Sequence, residues 1–234
     1  MTAELIAGKK LAQEKRDEMK KEIAVIIVGN DPASRSYVRG KQKACKEVGI
    51  HSLLIEMPES TSESELLGKI SELNIDDSID GILVQLPLPA QIDEHIIIDA
   101  IAPEKDVDGF HPINVAKMMT GHPSLLPCTP HGIVEMVKPK QIEIEGKHVV
   151  VVGRSNIVGK PVGQLFLNEN ATVTYCHSRT KNLAEMTRQA DILIVAVGKA
   201  HAIDGSYIKR GATVIDVGVN RLENGKLTGD VHFA

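Results

Sequence analysis

Short apolar runs alternate with amphipathic stretches along most of the chain. "IAVIIVG" (Ile23–Gly29), "HSLLIEM" (His51–Met57) and "DGILVQL" (Asp80–Leu86) are brief and almost continuously apolar, as strands buried on both faces are. A second set follows at "HVVVVG" (His148–Gly153), "ATVTYC" (Ala171–Cys176), "DILIVAVG" (Asp191–Gly198) and "TVIDVGV" (Thr213–Val219). Between them, apolar residues recur at helical spacing over 34–48, 62–73, 92–101, 158–168 and 181–190. Strand and helix in alternation predict an α/β protein, with parallel sheets covered by helices on both faces.

The two sets of strands are separated by "NVAKMMTGHPSLLPCTPHGIVEMV". Its Thr129-Pro130 reads as an N-cap followed by proline at the first helical position. A domain boundary is expected near residue 127, dividing the chain into 1–127 and 128–234. Two joints stand out. A first helix through "EKRDEMKKE" runs straight into the strand at Ile23, although a helix and a packed strand need a connection. The chain also stops at "GDVHFA", just past a hairpin-like segment. Residues are expected to be missing at both places.

Composition narrows the class. The chain has 234 residues, 42% of them apolar and 25% charged, as in ordinary globular proteins. There is no Trp, and only three Phe and three Tyr, so the core must be aliphatic. A net charge of −4 gives no reason to bind nucleic acid or acidic membranes. The three cysteines, Cys45, Cys128 and Cys176, form no C-x-x-C pair, which argues for a reducing compartment and for thiols placed in the core. The nine histidines show no metal-ligand spacing, and no metal site is expected. No apolar run suits a signal peptide or a membrane span. These features together predict a cytoplasmic protein.

The strongest local chemistry is "VVVVGRSNIVGKP", Val149 to Pro161. A Rossmann phosphate turn reads G-x-G-x-x-G between strand and helix. Here Gly153 is in place, Ser155 and Val158 stand where the second and third glycines would be, and Gly159 comes one position late. Free N–H groups at the start of the following helix are expected to attract an anion, with Ser155 adding a hydroxyl and Arg154 a charge. A Gly-rich loop that binds nothing would carry the same glycines. At the end of the next strand, an NAD site has an acid for the ribose hydroxyls. This chain has "YCHSRT" instead, with Ser178 and Arg179, a pair suited to the 2′-phosphate of NADP. A solvated loop cation remains the alternative for Arg179.

A second constellation lies in the first half. "SYVRGKQKA" puts Tyr37 and Lys41 four residues apart, on one helical face. Gln85 ends the third strand at the same sheet edge, where open α/β sheets bind ligands. A ring, an amine and an amide can stack a planar substrate and move protons, although Tyr-x-x-x-Lys also occurs as a merely solvated pair. "KDVDGF" adds Asp106 and Asp108, able to grip an N–H-rich ring or to cap a turn.

Taken together, "DPASRSYVRGKQKACKEVGI", "DGILVQLPLP", "PEKDVDGFHPINV", "LPCTPHGI", "GRSNIVGKPV", "CHSRT" and "VIDVGVNR" resemble the bifunctional methylenetetrahydrofolate dehydrogenase/cyclohydrolase family. They span Asp31 to Arg221 in the family's order. The resemblance implies two α/β domains: a catalytic, folate-binding domain at 1–127 and a Rossmann-like NADP-binding domain at 128–234. It implies a homodimer and a folate cleft between the domains. It implies NADP-dependent oxidation of 5,10-methylenetetrahydrofolate, then hydrolysis to 10-formyltetrahydrofolate. By the same resemblance, Lys41 transfers the proton in the hydrolytic step, Tyr37 packs on the folate, and Gln85 hydrogen-bonds near Lys41. Asp108 binds the pterin edge. Gly153, Arg154, Ser155, Val158, Gly159, Ser178 and Arg179 form the cofactor site. The family continues past "GDV" into a "PGGVGPMT" segment that this sequence does not contain. A cyclohydrolase without the oxidative step, and a non-catalytic NADP-binding protein, are the other readings.

Overall fold

The computed structural model describes residues 21–138 and 142–232. The helix expected through 14–20 lies outside them, and Glu22, expected as its last residue, instead opens a strand. The chain separates into two compact units, Met1–Pro112 and Ile113–Ala234.

In the first unit, β1 (Glu22–Val28) is the central strand, flanked in parallel by β2 (His51–Met57) and β3 (Gly81–Val84). Successive side chains of a strand point to opposite faces, and both faces of β1 are buried. Ala24, Ile26 and Val28 pack with Leu66, Ile70 and Leu73 of α2 (Glu63–Ile75) and Ile97 of α3 (Glu94–Ala100). Val25 and Ile27 pack with Val38 of α1 (Pro32–Glu47). The helices start where local chemistry stops their orphan N–H groups. Asp31 accepts from Ser34 N before Pro32 opens α1, Ser62 and Glu65 form a reciprocal capping box on α2, and Asp93 caps α3. β3 ends at Val84 rather than at Leu86. Gln85 N still donates to Ile26 O at 2.9 Å, but Pro87 has no N–H with which to continue the ladder.

The division between the units falls at the first residue of α4 (Pro112–Met119). The second unit continues through α5 (Cys128–Val137), β4 (His148–Val152), α6 (Gly159–Asn168), β5 (Thr172–Cys176), α7 (Leu183–Thr187), β6 (Ile192–Val195) and β7 (Thr213–Asp216). Its four strands are parallel in the order β5-β4-β6-β7. A short hairpin, β8 (Asn220–Arg221) with β9 (Leu227–Thr228), follows. The valines of β4 divide between two cores. Val149 and Val151 meet Ile133, Val134 and Val137 of α5 and Val162, Leu165 and Phe166 of α6. Val150 and Val152 meet Leu193 and Val195 of β6, with Met186 of α7 packed alongside.

Two expectations are corrected here. Thr129 is not the cap of α5: the helix starts two residues earlier than expected, at Cys128 after Pro127, without a side-chain cap. The ring of Pro127 fixes φ and leaves no N–H to be satisfied. Cys128 is exposed and Cys45 half-buried, and of the three thiols only Cys176 lies in the core. The first turn of a surface helix simply turns Cys128 outward. Among the described residues no helix is long and apolar enough to cross a membrane.

Phe166 is wholly buried at the centre of the larger core of the second unit. Phe166→Ala is expected to cost about 3–5 kcal/mol of stability, read as a shifted midpoint in urea unfolding of that unit.

Candidate functional site

The first-half residues converge in part. Tyr37 and Lys41 lie one turn apart on α1, with Tyr37 54% exposed. Lys41 Nζ stands 3.8 Å from Asp108 Oδ1, joining the helix to the loop that follows α3. Asp106 and Asp108 have divided the two roles open to them. Asp106 is buried, accepts from His111 N at 2.8 Å through its carboxylate and from Gly109 N through its carbonyl, and so holds the turn. Asp108 shares the wall of a small cavity with Ile82, Val84, Leu86 and Phe110, its side chain 19% exposed.

Burial in that apolar wall pushes the Asp108 carboxyl above its ordinary value, with the Asp106 charge adding to the rise and Lys41 opposing it. Gln85 does not bond to Lys41 here. Its amide donates to the adjacent Leu86 carbonyl at 2.6 Å, and its Oε1 is buried with no hydrogen-bond partner among the described residues. A buried acceptor left open in this way is costly unless a ligand or water meets it. The structure thus joins an amine to a half-desolvated carboxylate, while the exposed Tyr37 ring lies one turn along α1 and the Gln85 acceptor is unspent at the end of β3.

The second-half turn explains its own sequence. At Gly153, φ is +134°, and a Cβ there would lie 2.2 Å from Ala196 O. At Gly159, a Cβ would lie 2.6 Å from the Gly153 carbonyl carbon. Both positions must be glycine, because strand end, helix start and the loop after β6 touch through backbone. The free N–H groups expected at the helix start are not there. Ser155 Oγ accepts from Val158 N at 3.2 Å and Gly159 N at 3.1 Å, Ser155 O accepts from Lys160 N at 3.0 Å, and Pro161 has no N–H. A hydroxyl that accepts two bonds keeps its hydrogen to donate. Donation to an anion thus passes from the helix to the Ser155 hydroxyl. The N–H groups of residues 154–157 are also available, since they have no hydrogen-bond partner among the described residues.

The corner after β5 is equally well fixed. His177 N donates to Thr180 Oγ1, Thr180 N donates to His177 O, and Arg179 N donates to His177 Nδ1. Ser178 and Arg179 are left exposed at its tip. Neither Arg154 nor Arg179 pairs with a carboxylate among the described residues. Two unspent guanidinium groups, a donor hydroxyl and a side-chain-free backbone fit a dinucleotide carrying an extra phosphate.

Sequence reasoning missed Asp216 and Asp230. Asp216 accepts from Gly218 N, Asp230 N and Val231 N, and Asp230 accepts from Val197 N, Gly198 N and Lys199 N. The signal was available: a carboxylate at an apolar strand end two residues before Gly218, and another beside Gly229 in "GDV". Among the described residues no group of His, Cys, Asp and Glu is placed to hold a metal ion.

Comparison with known proteins follows these two regions. The model of the tetrahydrofolate dehydrogenase/cyclohydrolase catalytic domain matches residues 2–108, and that of the NAD(P)-binding domain of the same enzymes matches 127–234. The chain is 63% identical over 245 residues to the Bifunctional protein FolD of Bacillus thuringiensis (strain Al Hakam), covering 100% of this chain and 86% of the relative. Among solved structures, it is similar to the bifunctional methylenetetrahydrofolate dehydrogenase/cyclohydrolase FolD of Campylobacter jejuni (TM-score 0.90, 46% identity, 97% of this chain and 85% of that one). It is similar also to the Trypanosoma brucei enzyme complexed with NADP cofactor and inhibitor (TM-score 0.86, 34% identity, 100% of this chain and 87% of that one).

Two titration outcomes follow from the Lys41–Asp108 pair. Removing the cation in Lys41→Met is expected to raise the Asp108 pKa further, followed by its carboxyl carbon shift in NMR; an unchanged or lower value would disprove the pairing. With the folded pKa raised, the stability linked to Asp108 is full below its unfolded pKa and is lost as pH rises through the folded value. Asp108→Asn is therefore expected to flatten that part of the stability–pH curve, measured by urea unfolding across the acid range.

Proposed function

We propose that this chain, which belongs to the tetrahydrofolate dehydrogenase/cyclohydrolase family, performs two successive reactions on one folate carbon. 5,10-Methylenetetrahydrofolate and NADP+ give 5,10-methenyltetrahydrofolate and NADPH. Water then adds to the methenyl carbon, a proton is lost, and ring opening yields 10-formyltetrahydrofolate. The observation that carries this reading is the pairing of Lys41 with a half-buried Asp108 on one unit, in a chain whose other unit bears the Gly153 turn and two unpaired arginines.

The residues divide the work by their chemistry. The exposed ring of Tyr37 supplies a flat surface for the pterin system. Asp108, when ionised, accepts the paired N–H groups of the pterin edge, and Lys41 beside it moves the proton of the hydrolytic step. Gln85 offers its open Oε1 to the same space. On the second unit, when bound, NADP+ supplies the two-electron acceptor. Gly153 and Gly159 let the turn close backbone on backbone beneath the cofactor, Val158 shapes the turn, and the Ser155 hydroxyl donates to a phosphate oxygen. Arg154, Ser178 and Arg179 hold phosphate, Ser178 and Arg179 at the position where the 2′-phosphate distinguishes NADP from NAD. We assign folate binding to residues 1–127 and cofactor binding to 128–234. A homodimer is consistent with β5, an edge strand with Tyr175 exposed on it. A cytoplasmic setting matches three cysteines far apart in the sequence.

The reading is tested by supplying methylenetetrahydrofolate with NADP+ or NAD+ and following reduced nucleotide and methenyl absorbance together. Reduced NADP without methenyl build-up is expected; no reduction with either nucleotide would refute it. Lys41→Met is expected to abolish hydrolysis of added methenyltetrahydrofolate while NADP+ affinity holds; equal loss of both would make Lys41 structural. Arg179→Ala and Arg154→Ala are each expected to weaken NADP+ more than NAD+, by about tenfold to a hundredfold, as charge-assisted phosphate contacts of roughly 1.5–3 kcal/mol require. An unchanged NADP+/NAD+ ratio would remove the specificity argument.

A further inference from the structure

We infer that Asp230 is a positioning residue for the oxidative step: its buried carboxylate fixes the loop after β6 against the Gly153 turn, and so sets the cofactor's seat. The inference rests on the assignment of the cofactor to that turn.

Asp230 has no exposed surface. Its carboxylate accepts from Val197 N at 2.7 Å, Gly198 N at 3.0 Å, Lys199 N at 2.8 Å and Asn220 Nδ2 at 2.9 Å. Consecutive backbone N–H groups that converge on one point make an anion-binding nest. Here the anion belongs to the chain itself. Gly198 contributes the positive φ, +64°, that lets successive N–H groups turn to the same side.

The consequence lies on the other face of that loop. A peptide's N–H and C=O point in opposite directions, so a Val197 N–H held on Asp230 aims the Ala196 carbonyl away from it. That carbonyl oxygen is the atom that leaves no room for a side chain at Gly153, 2.2 Å from where a Cβ would stand. Asp230, the Val197 amide, the Ala196 carbonyl and Gly153 therefore form one unbroken line of contacts.

The carboxylate cannot swing out of this line. A Cβ on Gly218 would lie 2.2 Å from Asp230 Cγ, and Asp230 N is itself held by Asp216 Oδ1 at 2.9 Å. Behind it, Ile203 N donates to Asp230 O and His232 N to Ile203 O. Asp230 reaches the cofactor only through the loop that it orders.

The test is steady-state kinetics and calorimetry on the whole protein, with NADP+ varied, for Asp230→Asn and Asn220→Ala. The amide in Asp230→Asn keeps the shape but turns an N–H2 toward backbone donors. Asn220→Ala removes one bond to the carboxylate and leaves the backbone donors alone. The KM and dissociation constant for NADP+ are expected to rise at least tenfold in Asp230→Asn and at least twofold in Asn220→Ala, with kcat falling by less than KM rises. A merely structural role would lower kcat for oxidation and hydrolysis together while KM for NADP+ stays in place, and that outcome overturns the inference. Should Asp230→Asn fail to fold, an unchanged NADP+ KM in Asn220→Ala overturns it. Arg179→Ala, measured alongside, separates the two levels. If Arg179→Ala weakens NADP+ and the Asp230 and Asn220 variants do not, only this inference fails. If none of the three affects NADP+, the cofactor assignment fails and takes the inference with it.

Discussion

Backbone meets backbone at Gly153, and much of the second unit is arranged around that contact. The end of β4, the start of α6 and the loop after β6 come together where neither Gly153 nor Gly159 has room for a Cβ. Such an approach strips the turn of side chains, and the missing chemistry has to come from neighbours. Ser155 closes the start of α6, Pro161 removes a donor that would otherwise be orphaned, and charge stands on Arg154 within the turn and on Arg179 at the corner after β5. The pattern G-R-S-x-x-V-G-x-P thus differs physically from G-x-G-x-x-G. A side-chain hydroxyl closes its helix start and the loop amides stay open, where the commoner turn leaves the helix N–H groups free.

The first unit handles charge in the opposite way. Where the cofactor turn keeps its cations solvated, Asp108 is drawn into a wall of Ile82, Val84 and Leu86, and burial raises its pKa. Lys41, at 3.8 Å, recovers part of that cost. At that distance the two form a loose ion pair, and burying it more tightly would add desolvation cost as well as attraction.

Most of the architecture was legible because it rests on periodicity. The apolar runs placed β1 to β7 within a few residues, whereas the caps that start α1, α2 and α3, Asp31, Ser62 and Asp93, were not read from the sequence. What was illegible depends on three-dimensional partners. The closure of α6 by Ser155 requires knowing that one hydroxyl reaches two N–H groups. The exposure of Cys128 depends on which side of a first turn faces solvent, and thiols are usually inside. Asp216 and Asp230 escaped notice because an acid in an apolar stretch looks like a strand end, while its partners lie as many as 33 residues away.

That separation has a consequence for how the protein is made. Val197, Gly198 and Lys199 leave the ribosome well before Asp230, the residue on which their N–H groups close. Until then those three donors lack the carboxylate that meets them in the folded chain. The second sheet also closes over long stretches of chain, since β4 pairs with β6 from Val149 to Ile192. Asp230 follows every strand of that sheet in the chain, so the last acceptor of the loop after β6 is also the last of these parts to be made.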